Sequence, residues 1–250
     1  MLAITRRKVI KDLLQEHKSV TITDLAARLD VTKETIRRDL RAMERDNELI
    51  RTHGGAYVLE GVQNDIDIAT RQALKIKEKE ILAQKCDSLI QPGDIIFLDN
   101  STTAWSIARK IVNRNLTVVT ASLEIANILC NSPTIHFFLI GGEFSRKSMS
   151  FNGDGALRNL QRYFLDKAFI SCRSVSMKYG LTDISDNAAM MHKLALEHSK
   201  QGFLVVDHSK LDNVSFTNAA PLKDIDGIVM DQPFTPEWQE YLLANNINFY

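Results

Sequence analysis

The chain is poor in the residues that staple, anchor or export a protein. Its three cysteines, Cys86, Cys130 and Cys172, lie far apart with no CxxC spacing, so neither a disulfide framework nor a thiolate metal site is indicated. All three read as small core residues in a reducing cytosol. No apolar run approaches the roughly 20 residues of a membrane span, and the opening residues 1–14 lack a signal-peptide core. A cytoplasmic protein without a membrane partner is expected. His136, His192 and His208 show no metal spacing and read as surface or core residues, so no metal and no cofactor is expected. Repeats and low-complexity segments are absent. Net charge is also lacking: 31 basic residues balance 31 acidic ones. The whole-chain figure therefore gives no hint of a polyanionic partner.

The charge is not evenly spread. Residues 1–58 hold 12 Lys+Arg against 9 Asp+Glu, and the remainder holds 19 against 22. The asymmetry is small, and its sign would suit a polyanionic partner for the N-terminal part. So modest an excess implies weak binding by one copy, and hence a homo-oligomer.

The stretch Thr32 to Leu40 is the most informative. At about 100° per residue, Ile36, Leu40 and Met43 form one stripe. Arg38, Arg41 and Arg45 fall on roughly the opposite face, with Arg37 on the flank. Thr32 is placed to cap this helix, and Glu34 sits where the helix dipole favours an anion. A first helix over residues 5–16 buries Val9, Ile10, Leu13 and Leu14. A second over residues 24–29, capped by Thr23, turns Leu25, Ala26 and Leu29 inward. Only Asp30-Val31-Thr32 separates the second helix from the third, as in a helix-turn-helix. Leu49-Ile50-Arg51 and Ala56-Tyr57-Val58 then read as a hairpin around His53-Gly54-Gly55, a wing with Arg51 and His53 near its tip. Lys33, Thr35 and Arg38 are the candidates for base edges, and Arg37, Arg51 and His53 for phosphates, with Thr32 and Gly54 alongside them.

Residues 1–58 thus form the expected DNA-binding domain and 59–74 a linker, with a second domain over 75–250. A helix is expected from about Thr70 towards Ile90. Short apolar runs follow at 95–98, 116–119, 135–140, 168–170, 203–206 and 228–230. Helical patterns at 102–111, 123–130, 156–164 and 188–199 lie between most of them. The alternation indicates an α/β fold with a mostly parallel sheet, whose ligands bind beyond the carboxyl ends of the strands.

The polar residues expected at those ends are Asp99 with Ser101, Thr102 and Thr103 at a helix start, Thr120 with Ser122, and Gly141 with Gly142. Ser150 and Gly153 follow in a loop, then Asp183, and Lys210 after a later strand. Hydroxyls and open amides at a helix N-terminus suit a phosphate. Lys210 can pair with its charge, while Asp99 and Asp183 can hold sugar hydroxyls. A phosphorylated polyhydroxy ligand is the expectation.

Arg6, Ile10, Leu14, Thr32, Thr35, Ile36, Arg37, Arg38, Asp39 and Leu40, followed by the wing Arg51-Thr52-His53-Gly54-Gly55-Ala56, carry a specific resemblance. In these motifs the chain resembles the DeoR family of bacterial transcriptional regulators over nearly its whole length. The resemblance implies a winged helix-turn-helix followed by an effector domain similar to ribose-phosphate isomerase. Such a domain binds a sugar phosphate as inducer without turning it over. It also implies a repressor of a carbohydrate-catabolism operon, a dimer or tetramer on double-stranded operator DNA. The chain departs from the usual family pattern at Ser101, Ala121, Ser174 and Ala188 to Met190. An activator would use the same residues. A sugar-phosphate isomerase with an attached DNA-binding domain would need a base such as Asp99, Asp183 or Asp186, and the glutamate-poor run Asn187 to Met190 argues against it. No catalytic residue is assigned.

Overall fold

The computed structural model describes residues 2–17, 19–45, 48–51, 54–57 and 68–250. His53, and the expected linker as far as residue 67, lie outside the described residues. The chain divides into two units, Met1–Ile76 and Lys77–Tyr250.

In the first unit, apolar stripes at helical spacing fold against one another. The elements are α1 (Ala3–His17), β1 (Ser19–Thr21), α2 (Ile22–Arg28), α3 (Lys33–Arg45), β2 (Ile50–Arg51) and β3 (Gly55–Tyr57), followed by α4 (Ile68–Ala73). Ile10, Leu14, Leu25, Ile36, Leu40 and Met43 are almost fully buried and form one core, so the stripe read from α3 is its packing face. The second helix is capped by Thr21, not Thr23: the Thr21 hydroxyl accepts from the Asp24 amide at 3.0 Å. Strand β1, which the sequence did not announce, brings Thr21 to that position. It pairs antiparallel with β3, giving the wing three strands in the order β1-β3-β2. At Gly55 an added Cβ would sit 1.9 Å from the Val20 carbonyl oxygen. The close approach of β1 and β3 therefore excludes any side chain there.

The second unit begins with α5 (Ile76–Leu89), separated from α4 by a break at Leu74–Lys75 where one continuous helix was expected. There follow β4 (Ile95–Leu98), α6 (Thr102–Ile111), β5 (Leu116–Thr120), α7 (Leu123–Leu129), β6 (Ile135–Leu139), β7 (Glu143–Ser145), β8 (Ser150–Asn152), α8 (Asp154–Leu160), β9 (Leu165–Ile170), β10 (Ser174–Ser176), β11 (Gly180–Asp183), α9 (Asp186–Glu197), β12 (Ser199–Val206), β13 (Thr217–Ala220), β14 (Gly227–Met230), α10 (Pro236–Ala244) and β15 (Asn248–Phe249). The six apolar runs are all strands of one parallel sheet, completed by β15, in the order β15-β14-β12-β9-β4-β5-β6. Phe97, Val118, Val119, Ala168, Leu204 and Ile228 are buried, as parallel strands require. An antiparallel sheet β10-β11-β13 and a hairpin β7-β8 lie outside it. Cys86 and Cys172 are core residues, but Cys130 is exposed at the end of α7, contrary to the expectation for all three.

The strand order positions the site. From β4 the chain steps outward to β5 and β6, then returns across to β9 on the other flank of β4. The connections leaving β4 and β9 thus run in opposite directions. A crevice opens where such a reversal occurs, at the carboxyl ends of the two strands.

Candidate functional site

The first unit presents a cationic helix face. Thr32 starts α3: its hydroxyl accepts from the Thr35 amide at 3.2 Å and lies 3.0 Å from the Thr35 hydroxyl. Lys33 and Arg38 are exposed and have no partner among the described residues. Arg37 and Arg41 lean on Glu34 at 3.3 and 3.6 Å. Such exposed pairs contribute little to stability and leave both guanidinium groups available to a polyanion. Arg51 is differently employed. Its Nε donates to Glu44 at 2.7 Å and its amide to the same carboxylate at 3.2 Å, which ties β2 to α3. The Arg51 guanidinium holds the Glu44 carboxyl below the usual carboxylate range. Gly54 is exposed, with its carbonyl accepting from the Ile22 amide at 2.7 Å. On the buried side, Arg6 of α1 is paired with Asp39 of α3. The sequence marked both residues without giving them a role.

In the second unit, Asp99 follows β4 at the reversal and is 2% exposed. Its Oδ1 accepts from the Ser101 amide at 2.9 Å, and its Oδ2 accepts from the Ser171 amide, just past β9, at 2.7 Å. The same Oδ2 lies 3.2 Å from His192 Nε2. His192, on α9, is 2% exposed. Its other nitrogen, Nδ1, is buried with no hydrogen-bond partner among the described residues, 3.9 Å from Asp183 Oδ2. Burial alone would lower the pKa of this ring. The hydrogen bond to Asp99 and the charges of Asp99 and Asp183 outweigh it, and the pKa lies above the ordinary value of 6.5. Burial, followed by the Asp183 charge, pushes the nearby Cys172 thiol up, while Lys210 acts on it in the opposite sense. Asp99, Asp183, Lys210, Cys172 and His192 therefore share one electrostatic neighbourhood.

Beside Asp99, Ser101 caps α6 by accepting from the Ala104 amide at 3.0 Å. The amides of Thr102 and Thr103, in the first turn, have no intrahelical acceptor, and both residues are buried. Asn100 donates to Ser150 at 2.9 Å, and Ser150 donates to Ser148 at 2.8 Å. Thr120 and Ser122 are fully buried and committed inward. The Thr120 hydroxyl accepts from the Ser122 amide at 3.1 Å, and the Ser122 hydroxyl accepts from Trp105 Nε1 at 3.1 Å and from the Ile125 amide at 3.3 Å. Gly142 is pressed against β8 and α8, where a Cβ would meet the Asn152 carbonyl oxygen at 2.6 Å, whereas one at Gly141 would meet nothing within 4 Å. Gly153 starts α8 at φ +82°. The residues that sequence reasoning missed are His192 and Asn100. Nothing in the local spacing of His192 connects α9 with the end of β4, whereas the place of Asn100 between Asp99 and Ser101 was a signal for it.

Comparison with known proteins agrees with both halves of this description. Residues 6–62 match the DeoR-like helix-turn-helix domain, and residues 74–232 match the DeoR C terminal sensor domain. An uncharacterised HTH-type transcriptional regulator of Bacillus subtilis (strain 168) is 34% identical over 94% of this chain and 92% of its own length. The HTH-type transcriptional repressor GlcR of the same strain is 31% identical over 91% of this chain and 88% of its own. The lactose phosphotransferase system repressor of Lactococcus lactis subsp. lactis is 34% identical over 94% and 93%. Among solved structures, ribose 5-phosphate isomerase A of Methanocaldococcus jannaschii is 19% identical with a TM-score of 0.39, over 53% of each chain. With an N-terminal helix-turn-helix, a C-terminal sensor domain and full-length relatives of both, this chain belongs to the DeoR family.

Proposed function

We propose that this chain is a repressor of a carbohydrate-catabolism operon that lets go of its operator when a phosphorylated sugar fills the second unit. Residues 1–58 bind double-stranded DNA through Thr32, Lys33, Thr35, Arg37 and Arg38, with Arg51, His53 and Gly54 on the wing. The working form is a dimer or tetramer, since one unit with so small a cationic excess binds weakly. The protein acts in the cytoplasm, where operator and effector meet. The relatives support this reading: one is named as a repressor and another as the repressor of a lactose phosphotransferase system.

The observation that carries the effector half is the Asp99–His192–Asp183 group at the sheet reversal, with Asp99 and His192 buried and Asp183 half-buried, adjoining the first turn of α6. Carboxylates and imidazole suit sugar hydroxyls, and a helix N-terminus suits a phosphate. Ser101, Thr102, Thr103 and Lys210 are assigned to the phosphate end, and Asp99, Asp183 and the Ser150 loop to the sugar end. Thr120, Ser122, Gly141, Gly142 and Gly153 support them. The ligand releases DNA by binding the DNA-incompetent state more tightly than the competent one.

The chemistry is that of a sensor and not of an isomerase. Aldose–ketose interconversion needs a general base. Here Asp99 already accepts three hydrogen bonds, and the charges of Asp99 and Asp183 favour the protonated form of His192 over the free base.

Fluorescence anisotropy tests the reading, on DNA from upstream of the protein's own gene and challenged with sugar phosphates and their parent sugars. Release by one ester and not by its parent sugar supports it. Tight operator binding that no ester disturbs removes its effector half.

A further inference from the structure

The orphan nitrogen of His192 has a consequence for which sugar the site accepts. A buried ring nitrogen without a partner is rare, and this one faces a carboxylate that it does not reach. The 3.9 Å between His192 Nδ1 and Asp183 Oδ2 is too long for a direct hydrogen bond. It does match the gap that one oxygen spans when it sits about 2.8 Å from each atom, accepting from the ring and donating to the carboxylate. We propose that His192 is a specificity-determining residue of the effector site, its Nδ1–H and the Asp183 carboxylate together receiving one hydroxyl of the sugar moiety. The inference rests on the effector reading above.

The rest of the neighbourhood fits this division of labour. Asp99 holds the ring from the far side and is fixed by the Ser101 and Ser171 amides, so the imidazole cannot turn without breaking a buried contact. Asp183 is kept in place by the Ile184 amide, which donates to Oδ1 at 2.8 Å and leaves Oδ2 towards the ring. The two carboxylates favour the doubly protonated ring, the form in which Nδ1 is a donor. Lys210 lies in the same neighbourhood, while on β9, which also packs against α9, Asp166 pairs with Lys200 and Lys167 with Asp94. Strand β13 packs against α9 and carries no titratable group. Asp154 and Arg158 of α8, Lys200 of β12, and Asp186, Lys193 and Glu197 of α9 itself all point to solvent. Cys172 remains a neutral thiol. A ligand lacking a hydroxyl at this position would leave both the N–H and the carboxylate without a partner. This is the strongest way for a polar site to reject an analogue.

Two isosteres separate ligand recognition from structural support. In His192→Gln the amide nitrogen reaches the place of Nε2, which keeps the Asp99 contact and removes the donor facing Asp183. In His192→Asn it takes the place of Nδ1 and does the reverse. The full chain is titrated with ribose 5-phosphate, glucose 6-phosphate and fructose 6-phosphate by calorimetry, with operator affinity measured in parallel. The wild-type imidazole nitrogens are followed by ¹⁵N NMR.

The expected result is that an ester bound by the wild type binds His192→Gln roughly tenfold to a hundredfold more weakly. His192→Asn should be less impaired, and the wild-type Nδ1 resonance should move on saturation. An ester that binds His192→Gln as tightly as wild type, a stationary Nδ1 resonance, or greater damage from His192→Asn overturns the proposal and leaves the effector reading standing. If none of the esters binds the wild type, the effector reading falls and this inference falls with it.

Discussion

Arg6 and Asp39, 33 residues apart, meet inside the first unit, where the Arg6 guanidinium is buried against the Asp39 carboxylate with a second contact at 3.1 Å. Arg7 approaches the same carboxylate at 3.5 Å. Asp39 lies on the recognition helix α3, one residue after Arg38. The pair therefore fixes the rotation of the helix whose outer face carries Lys33, Arg37 and Arg38. Removing one partner strands a buried charge. Asp39→Ala should destabilise the first unit by about 3–5 kcal/mol and weaken operator binding, although Asp39 itself faces away from DNA. The double substitution Arg6→Met, Asp39→Leu should recover most of that stability, because a hydrophobic pair of similar volume escapes the desolvation penalty. Amide hydrogen exchange across α1 and α3 in the full chain measures both. Equal protection in Asp39→Ala and wild type would refute the role.

Adjacent glycines in the wing should behave oppositely. A Cβ at Gly55 would sit 1.9 Å from the Val20 carbonyl oxygen, whereas one at Gly54 would meet nothing within 4 Å. Gly55→Ala should force β1 and β3 apart, removing exchange protection from their amides and lowering operator affinity. Gly54→Ala should change stability by no more than about 0.5 kcal/mol. If the two substitutions melted alike, the close approach would not be what Gly55 is there for.

The sheet was legible in the sequence because parallel strands are buried on both faces, so runs such as Ile95–Leu98 and Phe203–Val206 carry no polar interruption. Strands β7, β8, β10, β11 and β13 are only three or four residues long and mix Ser, Asn and Thr with apolar residues, which no periodicity separates from loop. Helix α10 did carry a signal: Thr235 caps it and Pro236 opens it. At the site, Asp99 could be read from its place after a strand and before a helix. His192 could not. Its meaning comes from a contact across 93 positions of sequence, made only when α9 packs beside the end of β4.

On DNA, Arg38 and Arg37 should part company. Arg38 is exposed and has no partner among the described residues, which suits a base edge, while Arg37 is shared with Glu34 on the flank. Arg38→Ala should lower the ratio of operator to random-DNA affinity by about 1–3 kcal/mol. Arg37→Ala should weaken both alike and reduce the salt slope by about one. Arg51→Ala should also weaken both, but together with wing stability, because its guanidinium is held by Glu44. Anisotropy at several salt concentrations separates these outcomes. Equal losses on operator and random DNA for Arg38→Ala would refute its assignment to a base.

The His192 charge also predicts how stability changes with pH. The folded-state pKa of the ring lies above its ordinary 6.5. The folded chain therefore holds this proton more tightly than the unfolded chain. A raised pKa stabilises fully below the unfolded value, and the contribution is lost as pH rises through the folded value. Stability of the second unit should accordingly fall as pH climbs above about 6.5 towards about 8, short of the thiol range. The Asp166 and Glu44 carboxyls, held below their usual range, act at acid pH; the buried Cys86 and Cys172 thiols, pushed upward, lower stability only as the unfolded thiols begin to ionise near about pH 8.5, and Lys178 and Lys200, also raised, act higher still. Urea unfolding at pH steps across that window should show the slope in wild type and a flatter one in His192→Gln. A wild type that gains stability over the same range would mean the ring is neutral when folded. Its Nδ1 would then face Asp183 as a lone pair, with no proton to offer a ligand.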